Sequence, residues 1–309
     1  MIETWQQALP HGITLSCRAS GARGRPVLMF LHGFPEAAFA WDALLEHFSR
    51  PEHGGYRCVA PNLRGYEHSS APPRVEDYRA KHLVQDIVAL IDAECGAGQP
   101  LAALVAHDWG GAVAWAVANQ HPQRLRQLVI VNAPHPGTFL RELQRNPAQQ
   151  AASAYMNFLV RPDAAALLAE DGYRRLFGFF EGMGASAAPG SPGAPDGAGW
   201  LTDALRAQYR AVWNQGLDGG LNYYRASPLR AAHGQGPALN LPPELLHIAM
   251  PTLVLWAQDD TALLPALTEG LEAFVPDLKL VPMARATHWV VHEQPARVIA
   301  EIGAFLQAQ

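Results

Sequence analysis

The sequence predicts an α/β protein: a mostly parallel, doubly wound sheet carrying an inserted helical cap. Three observations predict it. Short apolar runs suited to buried strands alternate with helical patterns along the chain. That alternation is interrupted once, between about residues 136 and 246. The composition, 49% apolar and 17% charged over 309 residues, supplies a large core and excludes a disordered chain.

The elements follow in order. Residues 26–31 (PVLMFL) read as a buried strand ending at His32-Gly33. Residues 57–60, 101–106, 125–132, 252–256 and 278–281 read as five more. Continuous apolar runs of this length suit strands covered on both faces, as in a parallel sheet. Between them, residues 78–94 set Leu83, Ile87, Leu90 and Ile91 at helical spacing, and residues 110–120 and 295–306 form two further helices. The βαβα order argues for double winding. The expected core domain is residues 1–135 with 247–309. Residues 136–246 show no clear strand and are expected to form a cap over the sheet's C-terminal edge, where ligands bind in open α/β folds. Within the cap, residues 182–199 (GMGASAAPGSPGAPDGAG) are too rich in Gly, Ala, Pro and Ser to bury a core and are expected to form a mobile loop.

Charge and cysteine usage exclude several functions. The net charge is −5 and no Lys/Arg cluster occurs, so no nucleic-acid footprint is expected. Cys17, Cys58 and Cys95 include no CxxC pair, which suggests neither a zinc site nor a disulfide framework and fits a reducing, cytoplasmic setting. The opening MIETWQQALP lacks a basic stretch followed by an apolar one, so no signal peptide is expected. The apolar runs are too short to span a bilayer. No metal, no cofactor and no membrane partner are implied; monomer and homodimer both stay open.

The chemistry centres on residues 104–111 (LVAHDWGG), which follow a strand and open a helix. Ala106 and Gly110 flank Asp108 two residues away on each side. This is the pattern of a nucleophile elbow, whose sharp turn admits only small flanking residues. Asp stands where Ser is common, and no G-x-S-x-G occurs anywhere; Ser191 lies in the Gly/Pro-rich segment with no strand before it. A carboxylate is ionised at neutral pH and can displace a leaving group at saturated carbon. The product is an ester whose acyl half is the enzyme, which water must then cleave. Asp108 therefore points to alkyl-group chemistry rather than ester or amide hydrolysis. Alone it could equally cap the following helix, since Asp is a favoured N-cap residue.

Other segments weigh against that plainer role. Residues 32–36 (HGFPE) follow the first apolar strand. With an elbow nucleophile, the backbone N–H groups of Phe34 and Trp109 would form an oxyanion hole. Phe34-Pro35 is a candidate cis bond, which sequence leaves open. The chain has 13 histidines, so position must select the base. His288 sits between the last strand and the last helix, where that base belongs; His292 reads as a helix start or surface residue. The acid should fall between nucleophile and base in chain order, and both Asp259 and Asp260 end the fifth strand.

Together these segments resemble the soluble epoxide hydrolase family of the α/β-hydrolase superfamily. The matching motifs are HGFPE at 32–36, AHDWGG at 106–111, NAPHP at 132–136 and THW at 287–289. Residues 62–66 (NLRGY) match the family's D-x-R-G-Y loop with Asn62 replacing Asp. The resemblance covers nearly the whole chain apart from residues 182–199, and it departs at Ala106, where the family usually has Gly. The family's W-G-x-x-D pattern, counted from Trp256, selects Asp260 as the acid. Its N-W-Y-R motif maps onto residues 222–225 (NYYR) and implies Tyr224 as a cap phenol, with Tyr155 in the segment AYMNF as the second. Both could instead be packed cap aromatics.

The resemblance implies a small-molecule epoxide as substrate and a vicinal diol as product. Asp108 would attack a ring carbon while Tyr155 and Tyr224 protonate the ring oxygen, and His288 with Asp260 would activate the hydrolytic water. A haloalkane or haloacetate dehalogenase would use the same nucleophile. Such enzymes commonly carry a polar residue in place of Phe34 or Arg in place of Trp109. A non-catalytic small-molecule receptor on a hydrolase scaffold is the alternative from another class, and the intact nucleophile, acid and base argue against it. Phe158, Phe179 and Trp213 are candidate pocket or core aromatics.

Overall fold

The computed structural model describes residues 1–183, 185, 194, 196–230 and 236–308. Among them, eight strands form one sheet: β1 (Glu3–Ala8), β2 (Thr14–Ser20), β3 (Val27–Leu31), β4 (Arg57–Pro61), β5 (Ala103–His107), β6 (Leu128–Val131), β7 (Thr252–Ala257) and β8 (Leu278–Met283). Their spatial order is β1-β2-β4-β3-β5-β6-β7-β8. β1 runs antiparallel to β2 and β2 antiparallel to β4; every other pair is parallel.

Alternation along each inner strand sends side chains to two cores. Met29, Leu31, Leu104, Ala106, Ile130 and Val254 pack on one face beneath α2 (Ala80–Cys95) and α3 (Asp108–Gln120). Leu28, Phe30, Val105, Val129 and Leu253 pack on the other face; α1 (Asp42–Phe48) and the C-terminal helix cover them with Leu44, Phe48, Val298 and Ile302. The parallel register sets Leu31, Ala106 and Ile130 side by side, with Val254 next in the row. The loops that leave β3, β5, β6, β7 and β8 therefore emerge along one edge.

Between β6 and β7 the described residues form helices and loops only. The helices are α4 (Pro136–Arg145), α5 (Pro147–Ala152), α6 (Tyr155–Leu159), α7 (Ala164–Glu181), α8 (Asp203–Trp213) and α9 (Asp218–Ala226). The chain then returns to the sheet and ends in α10 (Val290–Glu293) and α11 (Pro295–Gln307). α7 is broken at residues 170–173, where Asp171, Gly172 and Tyr173 take positive φ.

Sequence and structure differ most in two places, and a third expectation falls largely outside the described residues. The β1–β2 hairpin was not expected: β1 is an exposed edge strand (ETWQQA) and has no apolar run to announce it. The strand expected at 125–132 is confined to Leu128–Val131, with Leu125 making only an isolated bridge to Leu101. Ten residues of the 182–199 segment, 184, 186–193 and 195, lie outside the described residues, so the expected loop is not described there. Its described part is tied down: Asp196 pairs with Arg285 at 2.6 Å, and Gly199 N–H donates to the Ala185 carbonyl. Among the described residues no helix is long and apolar enough to cross a membrane.

Candidate active site

Asp108 follows the last residue of β5 and opens α3 with φ +49°, a left-handed conformation disfavoured for a residue with a Cβ. The turn is possible because its neighbours are small. A Cβ on Gly110 would stand 2.4 Å from the Leu31 carbonyl oxygen. One on Gly33 would stand 2.2 Å from Asp108 Oδ1. That close approach lets the Phe34 backbone N–H donate to Asp108 Oδ1 at 2.7 Å. His32 fixes the same loop: its Nε2 accepts from Leu63 N–H and its Nδ1 lies 2.9 Å from the Gly33 carbonyl. Burial lowers the His32 pKa, which suits a neutral ring in those roles. The Phe34-Pro35 bond is cis.

His288 lies between β8 and α10, with Nε2 3.7 Å from Asp108 Oδ2. Its Nδ1 donates to Asp260 Oδ2 at 2.7 Å. Asp260 is itself over-determined: Oδ1 accepts from the N–H groups of Ala262 and Leu263, and Oδ2 also accepts from the Asn132 amide at 2.9 Å. Asp259, the competing carboxylate, is exposed. Burial alone would lower the His288 pKa, but Asp260 and Asp108 outweigh it and push the pKa up to about 10. Burial likewise works against an ionised Asp108, yet His288, His107 and the Phe34 N–H together hold its pKa below the ordinary carboxylate value. The three side chains thus form a carboxylate–imidazole–carboxylate row.

Tyr224 from α9 and Tyr155 from α6 approach each other over Asp108, ring centroids 6.3 Å apart. Phe34 and Trp109 meet the Tyr224 ring edge-on at 5.4 and 5.0 Å. Burial, reinforced by the Asp108 charge, raises both phenol pKa values, so both remain protonated donors. The adjacent Tyr223 instead donates its hydroxyl to the Arg64 carbonyl at 3.0 Å, in the core. The structure therefore brings Asp108, His288, Asp260, Tyr155, Tyr224 and the Phe34 N–H to one place. The Trp109 N–H follows Asp108 in the first turn of α3, where helical N–H groups lack intrahelical partners. Of the aromatics left open by sequence, Phe179 lines this site, while Trp213 is buried and donates to the Pro35 carbonyl. Phe158 packs half-buried against the core.

Sequence reasoning missed a buried polar cluster behind the row. Glu36 Oε1 accepts from the Tyr209 hydroxyl at 3.0 Å and lies 2.5 Å from His292 Nε2. Glu36 Oε2 lies 3.1 Å from His107 Nδ1, and His107 Nε2 is 2.9 Å from the His288 carbonyl. His292 is accordingly not a surface residue. Burial disfavours the Glu36 charge, but His292 and His107 outweigh it and hold its pKa well below the ordinary value. The HGFPE motif quoted Glu36 without indicating this partnership. Asn132 was likewise quoted only within NAPHP, yet at φ +40° it ties Asp260 to the Ala257 N–H.

Comparison with known proteins agrees with this architecture. The family model for the alpha/beta hydrolase fold matches residues 26–295. The chain is 31% identical to "Epoxide hydrolase 4" of Mus musculus over 304 residues, covering 96% of this chain and 77% of the mouse protein. It is 32% identical to "AB hydrolase superfamily protein YfhM" of Bacillus subtilis over 302 residues, covering 97% and 96%. A Bacillus megaterium epoxide hydrolase solved with an inhibitor superposes with TM-score 0.85 at 28% identity, covering 98% of this chain and 100% of that one. An epoxide hydrolase structure from hot-environment metagenomes gives TM-score 0.82 at 37% identity, with 99% of each chain covered.

Proposed function

Because this chain belongs to the epoxide hydrolase family of the α/β-hydrolase superfamily, we propose that it hydrolyses epoxides to vicinal diols through an ester on Asp108. The observation that supports the reading is that the Asp108 carboxylate shares a cavity with two phenols, Tyr155 and Tyr224, that burial keeps protonated. An epoxide oxygen is a poor leaving group, and two donors facing the nucleophile answer that need.

The proposed reaction has two halves. Asp108 Oδ1 is engaged by the Phe34 N–H, so Oδ2 is the oxygen free to attack. It forms a bond to a ring carbon as the ring C–O bond breaks. The electron pair goes to the ring oxygen, which takes a proton from Tyr155 or Tyr224. Alkylation also neutralises Asp108, one of the two anions that raise the His288 pKa. His288 then gives up its extra proton more readily, through solvent to the phenolate just formed, which restores the phenol and leaves Nε2 free to accept a proton from water. The resulting hydroxide adds to the ester carbonyl of Asp108. Oδ1 becomes the oxyanion, held by the N–H groups of Phe34 and Trp109. Collapse breaks the Cγ–Oδ2 bond; the departing alkoxide takes the proton held on His288 Nε2, so the diol leaves with the original Oδ2, while a solvent oxygen stays in the side chain and the new carboxyl group returns its proton to His288. In this reading residues 136–246 serve as the cap that brings the phenols over the nucleophile.

Single turnover in ¹⁸O-labelled water tests the scheme. The peptide containing Asp108 should gain one heavy oxygen; diol formed with that peptide unlabelled refutes the ester. Parallel reactions with a bromoalkane and with fluoroacetate should release no halide at a comparable rate.

A further inference from the structure

Tyr223 and Tyr224 are neighbours on α9, yet they point to different places. Tyr224 meets Phe34 and Trp109 beside Asp108. Tyr223 donates to the carbonyl of Arg64, in the loop that leaves β4. On that loop α9 rests backbone against backbone. A Cβ built on Gly219 would stand 2.2 Å from the Gly65 carbonyl oxygen, and one built on Gly65 would stand 2.7 Å from Gly219 Cα. Gly65 also takes φ +87°, so both space and backbone conformation call for glycine there.

The loop is the fixed side of this contact. The buried Arg64 guanidinium forks onto the Asp86 carboxylate of α2 at 2.6 and 2.7 Å, and its third nitrogen donates to the Asp77 carbonyl at 2.6 Å. Gly65 N–H donates to the Ser70 carbonyl, and Leu63 N–H to His32 Nε2. Among the described residues the one ion pair of α9, Arg225 with Asp218, lies within the helix itself. A methyl group at position 219 would therefore move the helix rather than the loop. Relieving a 2.2 Å approach takes a shift of about 1 Å, and a misplacement of that size can cost about a hundredfold in rate.

We infer, resting on the reaction proposed above, that Gly65, Gly219 and Tyr223 are positioning residues that set where the Tyr224 phenol stands over Asp108, and so govern alkylation and not ester hydrolysis. Tyr224 acts as the ring opens. His288 and Asp260, which serve the second step, are carried by the loops after β8 and β7.

Rapid-quench kinetics with styrene oxide on the wild type, Gly219→Ala, Tyr224→Phe and the double variant tests this. Gly219→Ala should slow the burst about a hundredfold, while decay of the alkyl-enzyme should stay within about twofold of wild type. Alanine is the better helix former, so helix propensity cannot cause the loss. The double variant should burst within about twofold of Tyr224→Phe, because a misplaced phenol and an absent one forfeit the same proton donor. A general loosening of the fold would instead multiply with Tyr224→Phe and slow both steps. A crystal structure of Gly219→Ala should show the Tyr224 ring displaced from Asp108, with His288 and Asp260 unmoved. Tyr223→Phe removes the bond to the Arg64 carbonyl and adds no atom; it should give the same pattern at about tenfold, and it carries the test if Gly219→Ala fails to fold. Losses that multiply in the double variant, decay slowed as much as the burst, or a Tyr224 ring left in place overturn the inference. An unchanged burst in Tyr224→Phe, with the ring displaced in Gly219→Ala, overturns the phenol's part in the proposed reaction and upholds the seat.

Discussion

Replacing Asp260 with Asn tests the triad most sharply, because the surrounding hydrogen bonds dictate how the new amide must lie. Asp260 Oδ1 accepts from two backbone N–H groups, those of Ala262 and Leu263. The amide oxygen is compelled to take that side. The amide NH₂ then faces His288 Nδ1 and the Asn132 amide nitrogen, two groups that donate to Oδ2 in the native protein. Asn132 cannot flip to help, since its own oxygen accepts from Ala257 N–H at 2.7 Å. His288 must therefore accept at Nδ1 and carry its proton on Nε2, facing Asp108. In that tautomer it cannot take a proton from water. An acid-to-amide change of this kind costs roughly 10⁴-fold in kcat, equivalent to about 5.4 kcal/mol of barrier. The stranded Asn132 donor should also cost about 1–3 kcal/mol of stability, read by denaturant unfolding. The loss should fall on ester hydrolysis, because Asp108 remains a carboxylate. Rapid-quench mixing should show about one equivalent of epoxide consumed per site, then near-arrest, with the adduct mass on the Asp108 peptide. A loss below about tenfold, or near-arrest without an adduct, would refute the tautomer argument.

Three further outcomes are expected. Tyr224→Phe and Tyr155→Phe should each slow alkylation about a hundredfold, since the other phenol remains. The double variant should approach about 10⁴-fold, the upper range for a positioned proton donor; a burst rate unchanged in the double variant would contradict the phenols' role. Decay of the alkyl-enzyme should accelerate with rising pH, because neutral imidazole is the base. Its midpoint should lie below the resting His288 value of about 10, as alkylation removes the Asp108 charge. Alkylation itself should stay flat through neutral pH and fall only in acid, where Asp108 protonates; decay that slows as pH rises from about 6 to 9 would reverse the sign. Gly33→Ala places a methyl 2.2 Å from Asp108 Oδ1. It should cost about 1–3 kcal/mol of stability from overpacking and more than about a hundredfold in burst rate from displacing the nucleophile. Thermal unfolding and rapid-quench kinetics read the two effects.

What sequence disclosed and what it hid divide along the range of the governing interactions. Asp108 was legible because a strand-to-helix turn at positive φ excludes large neighbours, and Ala106 and Gly110 satisfy that within five residues. His288 was legible by its place between the last strand and the last helix. Spacing could not separate Asp259 from Asp260, or Tyr223 from Tyr224, and in each case the family pattern had to choose. The structure shows what distinguishes them: Asp260 is buried against Asn132 whereas Asp259 is exposed, and Tyr224 faces Asp108 and Tyr155 whereas Tyr223 donates to the Arg64 carbonyl. Glu36, Tyr209 and His292 were invisible for the same reason. They come from a loop of the sheet, a helix between β6 and β7, and the C-terminal region, and no short-range pattern records that Tyr209 and His292 will converge on the buried Glu36 carboxylate. The cavity depends still more on distant packing, for Gly178 in isolation is only a poor helix residue. It becomes a wall of the cavity beside Asp108 once α7 is laid over the sheet's edge. Short-range sterics therefore announce the turn that carries Asp108, whereas its buried partners and the cavity walls rest on contacts between segments that sequence order keeps apart.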